Sequence, residues 1–242
     1  IYSEIYGLRL KTYNFDNNFN LKLNSIFKLI SKNTSIVFLT FPNIPVEGNT
    51  NLKFIKKLVK FLEKKKILLV IDEVYFPFNK SSALSLINRF KNLVVMKSFS
   101  KAFGLAGARI GYMVSEKKNI KIFSNTKGGY ETNMLSAMAM NFVIDNYGLT
   151  KKYTKDVAKG FLFLKKKLDY LKIKYYGGNN SNFIFINFDK EILSKKIYKR
   201  LKQNKIAVRW GYPKPFNKGI LLTGCPLKEM KKFFFIFEKI YK

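Results

Sequence analysis

The chain contains no histidine and a single cysteine, Cys225. Without histidine, imidazole-based general catalysis and histidine metal ligation are closed to it, and no metal site is expected. One cysteine forms no internal disulfide. Acidic residues are scarce: 15 Asp and Glu stand against 46 Lys and Arg, for a formal net charge of +31. Long apolar runs are also missing. Ile67–Ile71 and Phe233–Phe237 are far too short to span a bilayer. No charged-then-apolar secretory pattern opens the sequence. The expectation is a cytoplasmic protein with no membrane partner.

What is present can fill a core, since 47% of the 242 residues are hydrophobic, enough for one large domain or two smaller ones. An excess of positive charge ordinarily points to nucleic acid. Here the lysines are spread along the chain among asparagine, isoleucine and phenylalanine, with no arginine-rich tract and no zinc-finger spacing. Nucleic acid is therefore not the expected partner, although a non-catalytic basic binding protein remains an alternative. No internal repeat or low-complexity linker interrupts the chain.

Periodicity outlines the elements. Leu23, Ile26, Phe27 and Ile30 have helical spacing, and Ile36–Leu39 reads as a buried strand. The strand runs into Phe41-Pro42-Asn43-Ile44-Pro45-Val46-Glu47-Gly48, where two prolines and a glycine predict a loop. Thr50 is placed to cap a helix whose apolar face is Leu52, Ile55, Val59 and Leu62. Ile67–Ile71 is continuous enough for a central parallel strand, which completes a βαβ unit. A helix over Ser81–Phe90, strands Leu93–Met96 and Ile110–Val114, and a helix over Glu116–Phe123 follow. Residues 134–170 are helical, with a break near Gly148. Then come a turn at Gly177–Asn180, a strand over 181–188, a helix over Leu193–Gln203 and a closing helix from Lys228 to Tyr241.

Chemistry gathers at strand ends. The apolar run through Ile71 stops at Asp72-Glu73-Val74-Tyr75, and ligands bind at the carboxyl ends of parallel strands. Lys97-Ser98-Phe99-Ser100-Lys101 continues through Gly104, Ala106, Gly107 and Ala108 to Arg109. A lysine held off a strand end, among hydroxyls and an arginine, can form a Schiff base with an aldehyde cofactor. The hydroxyls, the arginine and exposed backbone N–H groups can hold that cofactor's phosphate.

The pattern Ser-Phe-Ser-Lys-x-Phe-Gly-Leu-Ala-Gly-x-Arg-x-Gly-Tyr closely resembles the cofactor-lysine segment of class I/II aminotransferases, and its nearest branch looks like the histidinol-phosphate aminotransferases. Asp72-Glu73-Val74-Tyr75 resembles the family's Asp-Glu-Ala-Tyr. The three-residue step from Asp72 to Tyr75 and the eight-residue step from Lys101 to Arg109 also match. The resemblance covers essentially the whole chain. It implies an α/β fold: a three-layer large-domain portion with a mainly parallel sheet over residues 1–140, then a linking helix and a smaller C-terminal α/β domain over 141–242.

It further implies pyridoxal 5'-phosphate as cofactor, attached to Lys101. Asp72 would pair with the pyridine nitrogen, Tyr75 and Asn43 would bond the 3'-oxygen, and Ser98, Ser100 and Arg109 would hold the phosphate. Tyr2, Asn182 and Arg209 are the implied substrate contacts, Arg209 closing the segment Ile206–Arg209 that resembles a family strand, and the family has a related tyrosine and asparagine close to the substrate near Tyr130 and Asn133. The implied activity moves an amino group from a small-molecule donor to a 2-oxo acid, in a homodimer. An alternative within the family is a decarboxylase of a phosphorylated amino acid. The chain departs from the family at two of these places: Ile44 stands where the family has a second asparagine, which leaves Asn43 as the candidate donor to the 3'-oxygen, and Leu221 stands where it has the arginine that bears on substrate. A leucine makes no bidentate contact with an anion. Family members carry a further N-terminal portion, so a fragment, a partial gene or a reduced, inactive protein is also expected.

Overall fold

The computed structural model describes residues 2–129 and 131–242, and of Tyr2 the backbone alone. After a short helix, α1 (Tyr2–Ile5), come α2 (Leu23–Leu29), β1 (Ile36–Thr40), α3 (Leu52–Glu63) and β2 (Leu68–Asp72). A 3-10 helix (Ala83–Arg89) leads to β3 (Leu93–Ser98), β4 (Gly111–Ser115), α4 (Lys117–Asn125) and α5 (Met134–Asp145). The long α6 (Tyr147–Tyr170) is followed by β5 (Lys174–Gly177), β6 (Phe183–Asn187), α7 (Glu191–Gln203), β7 (Gly219–Thr223) and α8 (Leu227–Tyr241).

β1, β2 and β3 pair in parallel, and β4 closes the sheet antiparallel to β3. Successive strand residues alternate faces. Val37, Leu39, Leu69, Ile71, Leu93 and Val95 thus point to one side, where they share a core with Ile55, Leu58, Val59 and Leu62 of α3. β2 is buried on both faces, as its unbroken apolar run requires. β1 is not: Ile36 and Phe38, on the face that also carries Asp72, are exposed.

β5, β6 and β7 form a second, antiparallel sheet. It packs against α6, α7 and α8 around Phe161, Leu164, Ile197 and Phe237. A third cluster joins the two sheets' ends, bringing Phe19, Val46 and Tyr75 against Phe183, Phe185, Phe216 and Leu221.

Three local expectations are corrected. The cap of α3 is Asn51, whose side chain accepts from the Phe54 N–H at 2.9 Å; the hydroxyl of Thr50 instead faces Asn43. The segment after β2 forms a 3-10 helix and not an α-helix, with the Ala83 N–H of its first turn held by Glu73. Ile206–Arg209 makes only an isolated bridge, Arg209 to Leu221. The Ile206 N–H is spent on Leu201 O, closing α7. The four-residue β5 was not anticipated.

Candidate active site

β2 delivers Asp72 at its carboxyl end, opposite Thr40 in the register with β1. The Asp72 carboxylate accepts the Val74 N–H at 3.0 Å, which bends the chain out of the sheet. Its neighbour Glu73 faces the other way, into the core. There it accepts from the Ser82 hydroxyl and the Ala83 N–H, both at 2.6 Å, and pairs with Lys97 at 3.4 Å. Both members of this pair are almost wholly buried. The Lys97 ammonium also lies 3.6 Å from the centroid of the Phe76 ring. The turn carrying Tyr75 is therefore pinned from beneath by a satisfied ion pair.

Tyr75 is 7% exposed, and its ring meets Phe183 edge-on at 5.0 Å. Burial, with Tyr212 and Asp72 nearby, pushes its phenol up to about 12. At neutral pH Tyr75 is thus a hydrogen-bond donor.

Beyond β3 the chain turns at Ser98, whose hydroxyl accepts the Ser100 N–H at 3.1 Å and donates to the Ser100 hydroxyl at 2.9 Å. Phe99 and Ala102 are buried and anchor the loop, while Lys101 between them is exposed. The Lys101 ammonium lies 5.9 Å from the Tyr75 ring centroid. Arg109 closes the loop in a left-handed conformation, φ 51°, and donates to Ala106 O at 3.0 Å. Gly111 is required next: a Cβ there would sit 2.7 Å from the Lys97 carbonyl oxygen.

Electrostatics link these groups. Burial raises the Asp72 carboxyl above its ordinary range, while the Val74 N–H and the charge of Lys101 pull it down. The net direction is upward, so the ionised carboxylate lacks part of the stabilisation that water would give it.

On the other side of the cluster stand Arg209 and Tyr212. The Arg209 guanidinium stacks 4.8 Å over the Tyr212 ring. Tyr212 packs edge-on against Phe185 at 6.2 Å, and its hydroxyl is buried without a hydrogen-bond partner. Nothing in the sequence reading singled out Tyr212. Its position in the Gly211-Tyr212-Pro213 turn, a loop beside Arg209, was the available signal.

Asp72, Tyr75, Lys101 and Arg209 are therefore brought together. Ser98, Ser100 and Arg109 lie on the loop that carries Lys101. Asn43 is buried with its amide largely committed: it donates to the Thr50 hydroxyl at 2.8 Å and accepts from Thr40 at 3.1 Å. Asn182 precedes β6, and its carbonyl accepts the Gly224 N–H at 2.7 Å. Asn133 caps α5 by accepting the Ser136 N–H at 2.9 Å. The Tyr2 side chain and Tyr130 lie outside the described residues. A cavity of about 480 Å³ opens elsewhere, beside Phe19, Glu47, Asn79 and Lys165; none of Asp72, Tyr75 or Lys101 lines it. Converging charges, and not cavity size, mark the site.

The sequence matches the family described as Aminotransferase class I and II over residues 2–221. It is 32% identical to histidinol-phosphate aminotransferase 1 of Carboxydothermus hydrogenoformans, across 81% of this chain and 54% of that protein. It is 31% identical to a dihydroxyacetone phosphate transaminase of Campylobacter jejuni, across 63% of this chain and 41% of that one. The chain spans about half the length of the curated relatives it matches. Among solved structures, the histidinol-phosphate aminotransferase of Sinorhizobium meliloti, in complex with pyridoxal-5'-phosphate, superposes with a TM-score of 0.84. That match is 22% identical and covers 99% of this chain and 65% of that one.

Proposed function

Because the chain belongs to the class I and II aminotransferases, we propose that it carries the pyridoxal 5'-phosphate site of a transaminase, most like a histidinol-phosphate aminotransferase. The observation that carries this reading is the Asp72 carboxylate, half-buried at a strand end beside Lys101 and the neutral phenol of Tyr75. A carboxylate whose charge is penalised by burial gains from a cation placed against it. A protonated pyridine nitrogen supplies one. The donor set fits the rest of the group: hydroxyls of Ser98 and Ser100 with Arg109 for a phosphate, a phenol for a ring oxygen, and a lysine amine for an aldehyde.

When bound, pyridoxal 5'-phosphate supplies an aldehyde that condenses with amines and a ring that accepts electrons from the adjacent carbon. Asp72 holds the proton on the ring nitrogen. Tyr75 donates to the ring 3'-oxygen. Asn43, one of whose amide hydrogens goes to Thr50, is proposed to give its other to the same oxygen. Ser98, Ser100 and Arg109 fix the phosphate and hence the ring's orientation. Lys101 would be the attachment point for the aldehyde, and its amine, when free, would move a proton at the substrate Cα. Arg209 holds an anionic group of the substrate, and Asn182 and Tyr2 are proposed to border it.

A homodimer belongs to the same proposal. α5 exposes Met134, Leu135, Met138 and Phe142, with Met134 and Leu135 77% and 78% exposed. These residues lie at spacings of one side of a helix, and such a patch suits an interface.

The direct test adds pyridoxal 5'-phosphate to the chain, reduces with borohydride and maps the labelled peptide. A visible absorbance band and a label on Lys101, lost in Lys101→Ala, are expected. A label scattered over surface lysines would reject the assignment.

A further inference from the structure

Glu73 and Lys97 form the last rung of the β2–β3 ladder. The register pairs Ile71 with Val95 and Asp72 with Met96, and the Glu73 N–H donates to Met96 O at 2.8 Å. One step further on, the Lys97 ammonium meets the Glu73 carboxylate at 3.4 Å, their side chains 4% and 3% exposed. Here the two strands part. β2 runs into the turn that carries Tyr75, and β3 into the loop that carries Ser100 and Lys101. Phe76, next to Tyr75, lays its ring 3.6 Å from the same ammonium. One cation of β3 thus grips the exit of β2 at two points.

Stability alone does not account for the pair. The cost of taking two charges out of water offsets most of their attraction, and apolar residues of similar volume often serve as well. What a buried pair adds is register, because the two charges must meet at one place. The two exits carry different parts of the site. Asp72 and Tyr75 on β2 serve the ring nitrogen and ring oxygen, while Ser98, Ser100 and Lys101 on β3 serve the phosphate and aldehyde. A single rigid ring must reach both, so the spacing of the strand ends has to match it. A misplacement of about 1 Å is costly to groups that act together.

We propose that Lys97 and Glu73 are positioning residues of the cofactor site: their ion pair holds the ends of β2 and β3 at the spacing that lets Asp72 and Tyr75 meet the ring that Ser98, Ser100 and Lys101 hold. Neither residue touches the cofactor. This deepens the transaminase reading and rests on it.

The test compares inorganic phosphate, which meets the β3 loop alone, with pyridoxal 5'-phosphate, which spans both strand ends. Lys97→Met combined with Glu73→Gln removes both charges and keeps an acceptor for Ser82 and Ala83. In urea this double variant should recover much of the stability that Lys97→Met alone loses. Its cofactor affinity should not recover. Borohydride labelling of Lys101 should need about tenfold or more pyridoxal 5'-phosphate, the worth of one contact to a charged group, and Lys97→Met alone should show the same loss. Phosphate affinity, read by phosphorus NMR, should be unchanged. Ser82→Ala takes one hydrogen bond from Glu73 and leaves the ion pair. It should unfold earlier in urea yet bind both anions as the wild type does. Binding is measured at a temperature where every variant is folded. Wild-type labelling in the double variant overturns the proposal, as does an equal loss of both anions, or a loss in Ser82→Ala that matches the double variant. A wild type labelled at Lys101 beside an equally labelled double variant sinks this inference alone. A wild type that takes no cofactor at Lys101 sinks the transaminase reading, and this inference with it.

Discussion

The carboxylate of Glu47 accepts a 2.7 Å hydrogen bond from the hydroxyl of Ser181, 134 residues away in sequence. The same oxygen accepts the N–H groups of Asn179 and Asn180 at 2.9 and 2.7 Å, and the other oxygen takes the Asn180 side-chain amide at 3.3 Å. Glu47 belongs to the loop that carries Asn43, and the turn it holds leads into β6. One buried carboxylate thus ties the ends of the two sheets together, and the shared aromatic cluster packs beside it.

The tie should be measurable. Glu47→Ala leaves the Asn179 and Asn180 N–H groups without their acceptor, while the Ser181 hydroxyl still has Phe183 O at 3.2 Å, and each orphaned donor costs about 1–3 kcal/mol when buried. Glu47→Gln retains the oxygen that takes three of the four bonds. In urea unfolding the alanine variant should lose about 3 kcal/mol or more, and the glutamine variant much less. Equal losses would show that charge, and not acceptor geometry, holds the turn.

The Lys97–Glu73 pair makes a second quantitative case. Removing one partner of a buried, hydrogen-bonded ion pair typically costs about 3–5 kcal/mol, because the other charge is stranded. Lys97→Met should fall in that range. Adding Glu73→Gln, which keeps an acceptor for Ser82 and Ala83, should recover a substantial part, and a double-mutant cycle in urea isolates the coupling. Simple additivity of the two losses would refute a stranded charge as the cause.

Much of the chain was legible because burial and period agree. β2 reads as a central strand since Leu69, Val70 and Ile71 are all buried, and α3 reads as a helix since Ile55, Val59 and Leu62 line one side. The grouping of Asp72, Tyr75 and Lys101 was legible because strand ends in a parallel sheet converge. Errors arose where two local signals compete. Thr50 and Asn51 are both good caps, and only the tertiary bond from Asn43 to Thr50 decides between them. Ile206 and Val208 alternate like a strand, but the chain there is still closing α7. Glu47 and Tyr212 act through partners distant in sequence or buried by packing, and no local pattern announces that.

Asp72 yields a pH prediction. Its folded-state pKa is raised, chiefly by burial, above the ordinary 3.8. Between those two values the folded chain binds more protons than the unfolded one. The stabilising contribution is therefore full below the unfolded value and is lost as pH rises through the folded value. Asp72→Asn removes that loss. The variant should melt higher than the wild type at pH 7, with the gain vanishing when the carboxyl is protonated. Pyridoxal 5'-phosphate should narrow the gap, because a pyridinium offsets the cost only where the carboxylate remains. A lower melting temperature at pH 7 would mean that Asp72 is already paid back by contacts within the chain.

Gly160 sets propensity against packing. It lies inside α6, where alanine is intrinsically favoured over glycine by about 1 kcal/mol. Propensity alone therefore predicts that Gly160→Ala stabilises the chain. Yet a Cβ at this position would lie on the carbonyl oxygen of Cys225, just before α8. That neighbour is backbone, and it cannot rotate away as a side-chain tip would. Accommodating the methyl requires α6 and the 225–226 segment to separate, loosening the contact of Val157 and Phe161 with the core they share with Phe233 and Phe237. Overpacking of this kind costs about 1–3 kcal/mol or more, which exceeds the propensity gain. Gly160→Ala should thus lower stability in urea. Gly148→Ala, at an α6 position where a Cβ meets nothing within 4 Å, should raise or leave it unchanged. Opposite signs for the same substitution in one helix would place the cause in the approach of α6 to Cys225; matching signs would remove that approach as the reason for glycine.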